Sequence, residues 1–211
     1  MNMLSKISAF HLDILKEIGN IGAGHATTAL SSLLGSSIDM KVPDVNIVHF
    51  DQVTERFGGE EALIATVFLR IEGDAPGSMF FVLTVEQASK LLTKITGKAI
   101  DLKKPPYDEM AISAFQEVGN ILTGSYLSSL ADFTKLNLQP TVPAVGIDMA
   151  GALIHYGLIQ ISKESDYAVV IDTVFLESNA VSSLLQGQVL LLPDPASFQT
   201  IFSALGVPLD E

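Results

Sequence analysis

The chain contains no cysteine and only two arginines, Arg56 and Arg70, in 211 residues. Without cysteine there are no disulfides, no thiolate metal sites and no cysteine nucleophile, which fits an expected cytoplasmic location. Twelve basic residues against 24 acidic ones give a formal net charge of −12 and a pI near 4.6. No basic run exceeds Lys103-Lys104. Phosphate-backbone binding needs clustered Lys and Arg, so nucleic acid is not expected as a partner, and neither is an anionic membrane surface. Long hydrophobic runs are missing as well. Mean hydropathy is high at +0.40, yet the densest apolar stretches are Met79–Leu83, Ala168–Ile171 and Val189–Leu192. All fall far short of the roughly 18 residues of a bilayer-spanning helix, so no membrane insertion is expected. The opening MNMLSKISAF has one lysine and neither a long apolar core nor a small-residue cleavage site, so no secretion signal is expected. What remains is a globular composition, 48% hydrophobic and 17% charged, in a length that suits one large domain or two small ones.

The chain is written twice. EIGNIGAGHATTAL from Glu17 recurs as EVGNILTGSYLSSL from Glu117, displaced by 100 residues without a gap. Over positions 17–45 and their counterparts nine pairs are identical, among them Glu17/Glu117, Gly19/Gly119, Asn20/Asn120, Gly24/Gly124, Val42/Val142 and Pro43/Pro143. Each half reads as helix, strands, helix. In the first, helical spacing over His11–Leu34 precedes strands at Val45–Phe50, Leu63–Ile71 and Ser78–Thr84, then a helix over Val85–Ile95 stopped by Gly97. In the second, a helix over Tyr107–Phe133 precedes strands near Ala152–Ser162, Ala168–Phe175 and Gln188–Leu192, with an extra loop around Glu177–Gly187 and a helix over Pro195–Leu205. The expected fold class is α/β of the α+β type: an internal duplication packed about a pseudo-two-fold axis, with helix-strands-helix units around a joined β-sheet. Repeat one spans about 9–97, a proline-bearing linker 98–106 and repeat two 107–206, all in a single domain over 1–211.

At about 100° per residue, Asp13, Glu17 and Asn20 fall within roughly 60° of one another on the first helix, and Ser113, Glu117 and Asn120 repeat that geometry. Between Glu and Asn lies Gly19 or Gly119, and a glycine inside a helix costs about 1 kcal/mol relative to alanine. Accepting that cost twice implies a close approach to the backbone beside Glu and Asn. Either the glycine serves helix packing and the polar residues are merely solvated, or carboxylate and carboxamide protrude into a partner's active site. Packing alone would keep the small residue without the Glu-x-x-Asn face, so the duplication favours the second. A carboxamide accepts from and donates to one water, orienting a nucleophile without being a base, and a carboxylate offers an ion pair to a partner lysine.

The pattern Asp/Ser-x-x-x-Glu-x-x-Asn, then twenty-two residues, then Pro is met by Asp13, Glu17, Asn20 and Pro43 and again by Ser113, Glu117, Asn120 and Pro143. It resembles the signature of the CheC/CheX/FliY chemotaxis phosphatases, and two complete copies with little before the first look like the CheC branch. The resemblance implies dephosphorylation of the phosphorylated response regulator CheY. It makes Glu17 and Glu117 docking anchors for a CheY lysine, and Asn20 and Asn120 the residues that position the attacking water. Mg²⁺ and the phosphoaspartate belong to CheY, so no metal or cofactor of the chain's own is implied. Asp13 and Ser113 then support the helix face, while Pro43 and Pro143 are structural. A second implied partner is the receptor deamidase CheD, whose surface is expected in AVGIDMAG after Pro143, with Asp148 as its centre; a bare surface connection is the alternative there. A non-catalytic module that sequesters CheY-P or CheD is the rival function.

Other signals carry less. GNIGAG at Gly19–Gly24 has neither dinucleotide nor Walker spacing and no strand before it. His11, His25, His49 and His155 lack ligand spacing and read as surface or satisfied core residues. No G-x-S-x-G elbow occurs, the acidic runs are brief, and Phe80, Phe81, Phe198 and Phe202 sit at core spacing.

Overall fold

Two of the short apolar runs lie side by side in one antiparallel sheet, Phe80 opposite Leu190 and Phe81 opposite Val189. Neither run alternates polar with apolar, because both faces of these strands are covered: Met79, Phe81, Val189 and Leu191 point into one core, Phe80, Val82, Leu190 and Leu192 into another. The computed structural model describes residues 7–159, 167–177 and 183–209.

The first half comprises α1 (Ala9–Leu34), β1 (Ile38–Lys41), β2 (Val45–His49), a short helix α2 (Phe50–Val53) running into a 3₁₀ turn (Thr54–Phe57), β3 (Leu63–Gly73), β4 (Gly77–Thr84) and α3 (Val85–Thr96). The second repeats the order as α4 (Glu109–Thr134), β5 (Leu138–Pro140), β6 (Ala144–Met149), α5 (Ala150–Ile159), β7 (Tyr167–Glu177), β8 (Ser183–Pro193) and α6 (Pro195–Ala204). The offset of 100 holds to the start of α2 and α5, at Phe50 and Ala150, and then widens, since β3 begins at Leu63 and β7 at Tyr167.

The eight strands run β1-β7-β8-β4-β3-β5, with β2 also on β7 and β6 also on β3. Exchanging the halves maps every pairing onto another: β1 and β2 lie on β7 of the other half, β5 and β6 lie on β3, and β4 meets β8 at the centre. This is the duplicated, joined sheet with pseudo-two-fold topology that the repeat predicts. The larger core joins α1, α3, α4 and α6 to one face, through Leu15, Ile18, Phe115, Val118, Phe198 and Phe202 among others. The smaller one, with Val53, Phe57, Ala150 and Ile154, covers the other face. The helices α1 and α4 pack directly: a Cβ on Gly22 would stand 3.0 Å from Cα of Tyr126. The Tyr126 hydroxyl pairs with the Thr173 hydroxyl on β7 at 3.0 Å. Burial pushes this phenol up to about 12, the Thr173 hydrogen bond opposing the rise.

Two expectations are corrected. The strand expected near Ala152–Ser162 is helix α5 as far as Ile159, residues 160–162 lying outside the described residues; the helix sequence AGALIHYGLI is apolar almost throughout, so periodicity cannot separate helix from strand there. The extra loop expected over Glu177–Gly187 is shorter, because Glu177 ends β7 and Ser183–Gly187 extend β8, while 178–182 lie outside the described residues. The strands β1, β5 and β6 are additional to those read from the sequence.

The helix ends differ between repeats in one instructive place. α1 is closed by Gly35 at φ 62°, whereas α4 is closed by Lys135 at φ 60°. A left-handed backbone is free for glycine and costs about 1 kcal/mol for a residue with a Cβ. Lys135→Gly is therefore expected to stabilise the fold by roughly 1 kcal/mol in urea titration; an unchanged midpoint would contradict that reading of the cap.

Candidate functional site

On each long helix the buried residues, among them Leu15, Ile18 and Gly19 on α1 and Phe115, Val118 and Gly119 on α4, turn the intervening polar positions outward. Asp13, Glu17, Ser113, Glu117 and Asn120 are exposed and Asn20 is half-buried. Neither Glu17 nor Glu117 has an ion pair among the described residues. The helices thus present a carboxylate and, one turn on, a carboxamide, in both halves.

The two copies are not equivalent. In the first, the Asn20 carboxamide is committed: Nδ2 donates to the carbonyls of Lys16 at 3.1 Å and Val42 at 3.4 Å, while Oδ1 accepts the Val42 N–H at 3.0 Å. Val42 is held against the helix, 2% exposed. In the second, Val142 is 85% exposed. The segment is tied instead through Gln116, whose Nε2 donates to the Pro143 carbonyl at 2.8 Å. Asn120 consequently makes no side-chain hydrogen bond among the described residues. The clamp and its substitute were not read from the sequence; the identical Val42/Val142 pair was the available signal, but identity cannot show that one valine is folded in and the other out.

The glycines between Glu and Asn are explained from inside the molecule. A Cβ on Gly19 would meet Val42 at 3.4 Å, and one on Gly119 would fall 2.4 Å from Val67 on β3. The close approach inferred from these glycines is therefore made from within the chain, by the link between β1 and β2 at Gly19 and by β3 at Gly119. Pro43 is exposed and Pro143 half-buried, both in the link between short strands. Asp148 is exposed on β6, and its carboxylate caps the N–H of Met149 at 2.8 Å. The connection expected around it is thus largely a strand, paired on β3 with Leu63 opposite Met149.

His11 is the satisfied core histidine anticipated: buried, accepting the Ser8 N–H at 2.9 Å and reaching the Val207 carbonyl at 3.0 Å. His25 is exposed and 3.3 Å from the Ser129 hydroxyl, and His49 stacks edge-on against Tyr167. The side chain of His155 lies outside the described residues. Among the described residues no group of three His, Asp or Glu side chains gathers as a metal site, and no helix is long and apolar enough to cross a membrane. A cavity of about 390 Å³ beside Arg56, Asp172 and Gln188 takes in Pro43 but none of the four Glu and Asn residues. They lie instead on the outward faces of the two long helices.

A family model, the CheC-like family, matches residues 10–47 and 110–147, which are the two copies of this helix with the strands that follow. The chain is 42% identical over 210 residues to the CheY-P phosphatase CheC of Bacillus subtilis strain 168, covering 99% of this chain and 100% of that protein. It is 28% identical over 141 residues to the flagellar motor switch phosphatase FliY of the same organism, covering 66% of this chain and 36% of the relative. Its fold is similar to the crystal structure of FliY from Thermotoga maritima, with a TM-score of 0.73 and 19% identity over 95% of this chain and 98% of the other.

Proposed function

We propose, from the premise that this chain belongs to the CheC-like family, that it dephosphorylates the phosphorylated chemotaxis response regulator CheY. It is a hydrolase acting on the aspartyl phosphate of CheY-P, ending or adapting the chemotactic signal in the cytoplasm. The observation that carries the assignment of the machinery is the exposed Glu117–Asn120 face of α4, whose carboxamide is free to engage a partner.

In this reading Glu117 docks on a lysine of CheY, and Asn120 is carried into the regulator's active site. Its Oδ1 accepts a hydrogen of the attacking water, while Nδ2 remains a donor for the same cluster. Water adds to phosphorus, the bond from phosphorus to the aspartate oxygen breaks, and inorganic phosphate leaves with the carboxylate restored. CheY supplies Mg²⁺ and the phosphoaspartate, so catalysis by this chain is positioning in a composite site, without a cofactor of its own. Glu17 and Asn20 form the second such pair. Asp13 and Ser113 extend the faces, and Pro43 and Pro143 shape the adjoining links. Before Asn20 can serve, it must leave Val42, so the α4 site carries most of the rate.

CheD is the second proposed partner, docking along β6. Support comes from exposed Asp148 flanked by an apolar pair, Met149 and Leu63, which are 46% and 44% exposed.

With CheY-P in excess, a small amount of the wild-type chain is expected to empty the phosphorylated pool over many turnovers, read by release of inorganic phosphate. If the chain binds CheY-P stoichiometrically and leaves its lifetime unchanged, it is a sequestering module instead.

A further inference from the structure

Gly24 and Gly124 are the one motif-adjacent pair of glycines that the fold does not explain. Both lie inside long helices, both are identical across the repeat, and a Cβ on either would meet nothing within 4 Å. Neither has a left-handed backbone. Gly19 and Gly119, by contrast, face the sheet, and Gly22 faces the other helix. The conformational cost of a helix-interior glycine is therefore accepted twice without any packing contact among the described residues that requires it.

A second duplicated feature lies on the same surface. Phe10 is 62% exposed and Met110 is 60% exposed. They are counterparts across the repeat and each stands three residues before its motif. At helical pitch Met110, Ser113, Glu117, Asn120 and Gly124 fall in an arc of about 80° and extend roughly 20 Å along α4. Phe10, Asp13, Glu17, Asn20 and Gly24 do the same on α1. Phe133 on α4, 48% exposed, lies well off this arc.

We infer that each arc is a docking strip for phosphorylated CheY in which Met110 (and Phe10) is the apolar anchor and Gly124 (and Gly24) is the point where the regulator's surface lies directly on the helix backbone. This rests on the phosphatase reading. The occupant follows from continuity: Glu117 and Asn120 lie between anchor and glycine, so whatever receives them covers both ends. The strip couples an apolar end, an acidic middle and a bare end, which suits a partner offering an apolar hollow and a lysine, with backbone or a broad side chain pressed onto the glycine.

The test separates docking from chemistry in the initial rate of phosphate release against CheY-P concentration. Gly124→Gln points into open space and replaces glycine by a helix former, so its melting temperature is expected to rise by about 3 °C. Its KM is expected to rise at least about tenfold, with kcat within about twofold. Met110→Ser is expected to raise KM about tenfold with kcat retained, and Phe133→Ser to leave both unchanged. A wild-type KM in Gly124→Gln and Met110→Ser overturns the strip while leaving the phosphatase reading intact. So does a KM that moves only because the variants dissociate a dimer, read by sedimentation. Failure of the wild-type chain to accelerate phosphate release removes the phosphatase reading itself.

Discussion

Asn120→Ala is expected to slow the accelerated loss of phosphate from CheY-P about a hundredfold, the order seen when a single positioning donor or acceptor is removed from a preorganised site. Asn20→Ala is expected to change the rate by less than about threefold, since that site already works at a disadvantage. The difference follows from the clamp on Val42, in which Asn20 uses its carbonyl and both amide hydrogens. Hydrogen bonds of this kind are each worth about 0.5–1.5 kcal/mol net, so releasing them leaves only about one molecule in a hundred with a free Asn20. The penalty for Asn20→Ala appears instead in stability: the Val42 N–H loses its acceptor, and about 1–2 kcal/mol should be missing from the unfolding free energy. Asn120→Ala, on an exposed side chain without a hydrogen bond among the described residues, should unfold like the wild type. Equal rate losses in the two single variants would contradict this division of labour.

The largest stability effect is expected at Gly119. Alanine there puts a methyl group 2.4 Å from the β-carbon of Val67. Val67 cannot retreat, because β3 is held on one side by β4, with Phe81 opposite Val67, and on the other by β6, with Val145 opposite. Overpacking of this severity costs about 3 kcal/mol or more, of which improved helix propensity returns about 1. The same change at Gly19 meets Val42 at ordinary contact distance and should be near neutral. Urea denaturation of Gly19→Ala and Gly119→Ala checks the pair. A Gly119→Ala protein as stable as the wild type would show that α4 does not sit on β3 as described.

Much of this was legible in the sequence for identifiable physical reasons. The repeat fixed the symmetry because identical side chains recur at a constant offset through α1 and α4, and the Glu-x-x-Asn face followed from helical pitch. The central strands β4 and β8 were visible as short unbroken apolar runs. The helix α5 was not, since an almost uniformly apolar segment has no preferred period. The short strands β1, β5 and β6 were hidden because each is defined by a partner far along the chain, β1 by β7 and β5 and β6 by β3. Gly19 and Gly119 pointed correctly to a close approach, and only the fold shows that Val42, in the link after β1, and Val67 on β3 make it. The differing flanks, Gly22-Ala23 against Leu122-Thr123, allow unequal sites, but which one is freer could not be read: Glu, Asn, Val and Pro are identical in both motifs, and what differs is whether the valine folds against its helix. That depends on flanking residues such as Lys16 and Gln116, whose backbone and side-chain bonds close one loop onto the asparagine and the other away from it.

The central claim is that this chain hydrolyses CheY-P by lending the asparagines of its two helices to the regulator's active site. The decay of CheY-P in the presence of the wild type and of the Asn20→Ala, Asn120→Ala double variant tests it most directly. The account predicts rapid decay with the wild type and return to the regulator's own slow decay with the double variant, which should still bind CheY-P through Glu17 and Glu117. Decay that is equally fast with both proteins would contradict it.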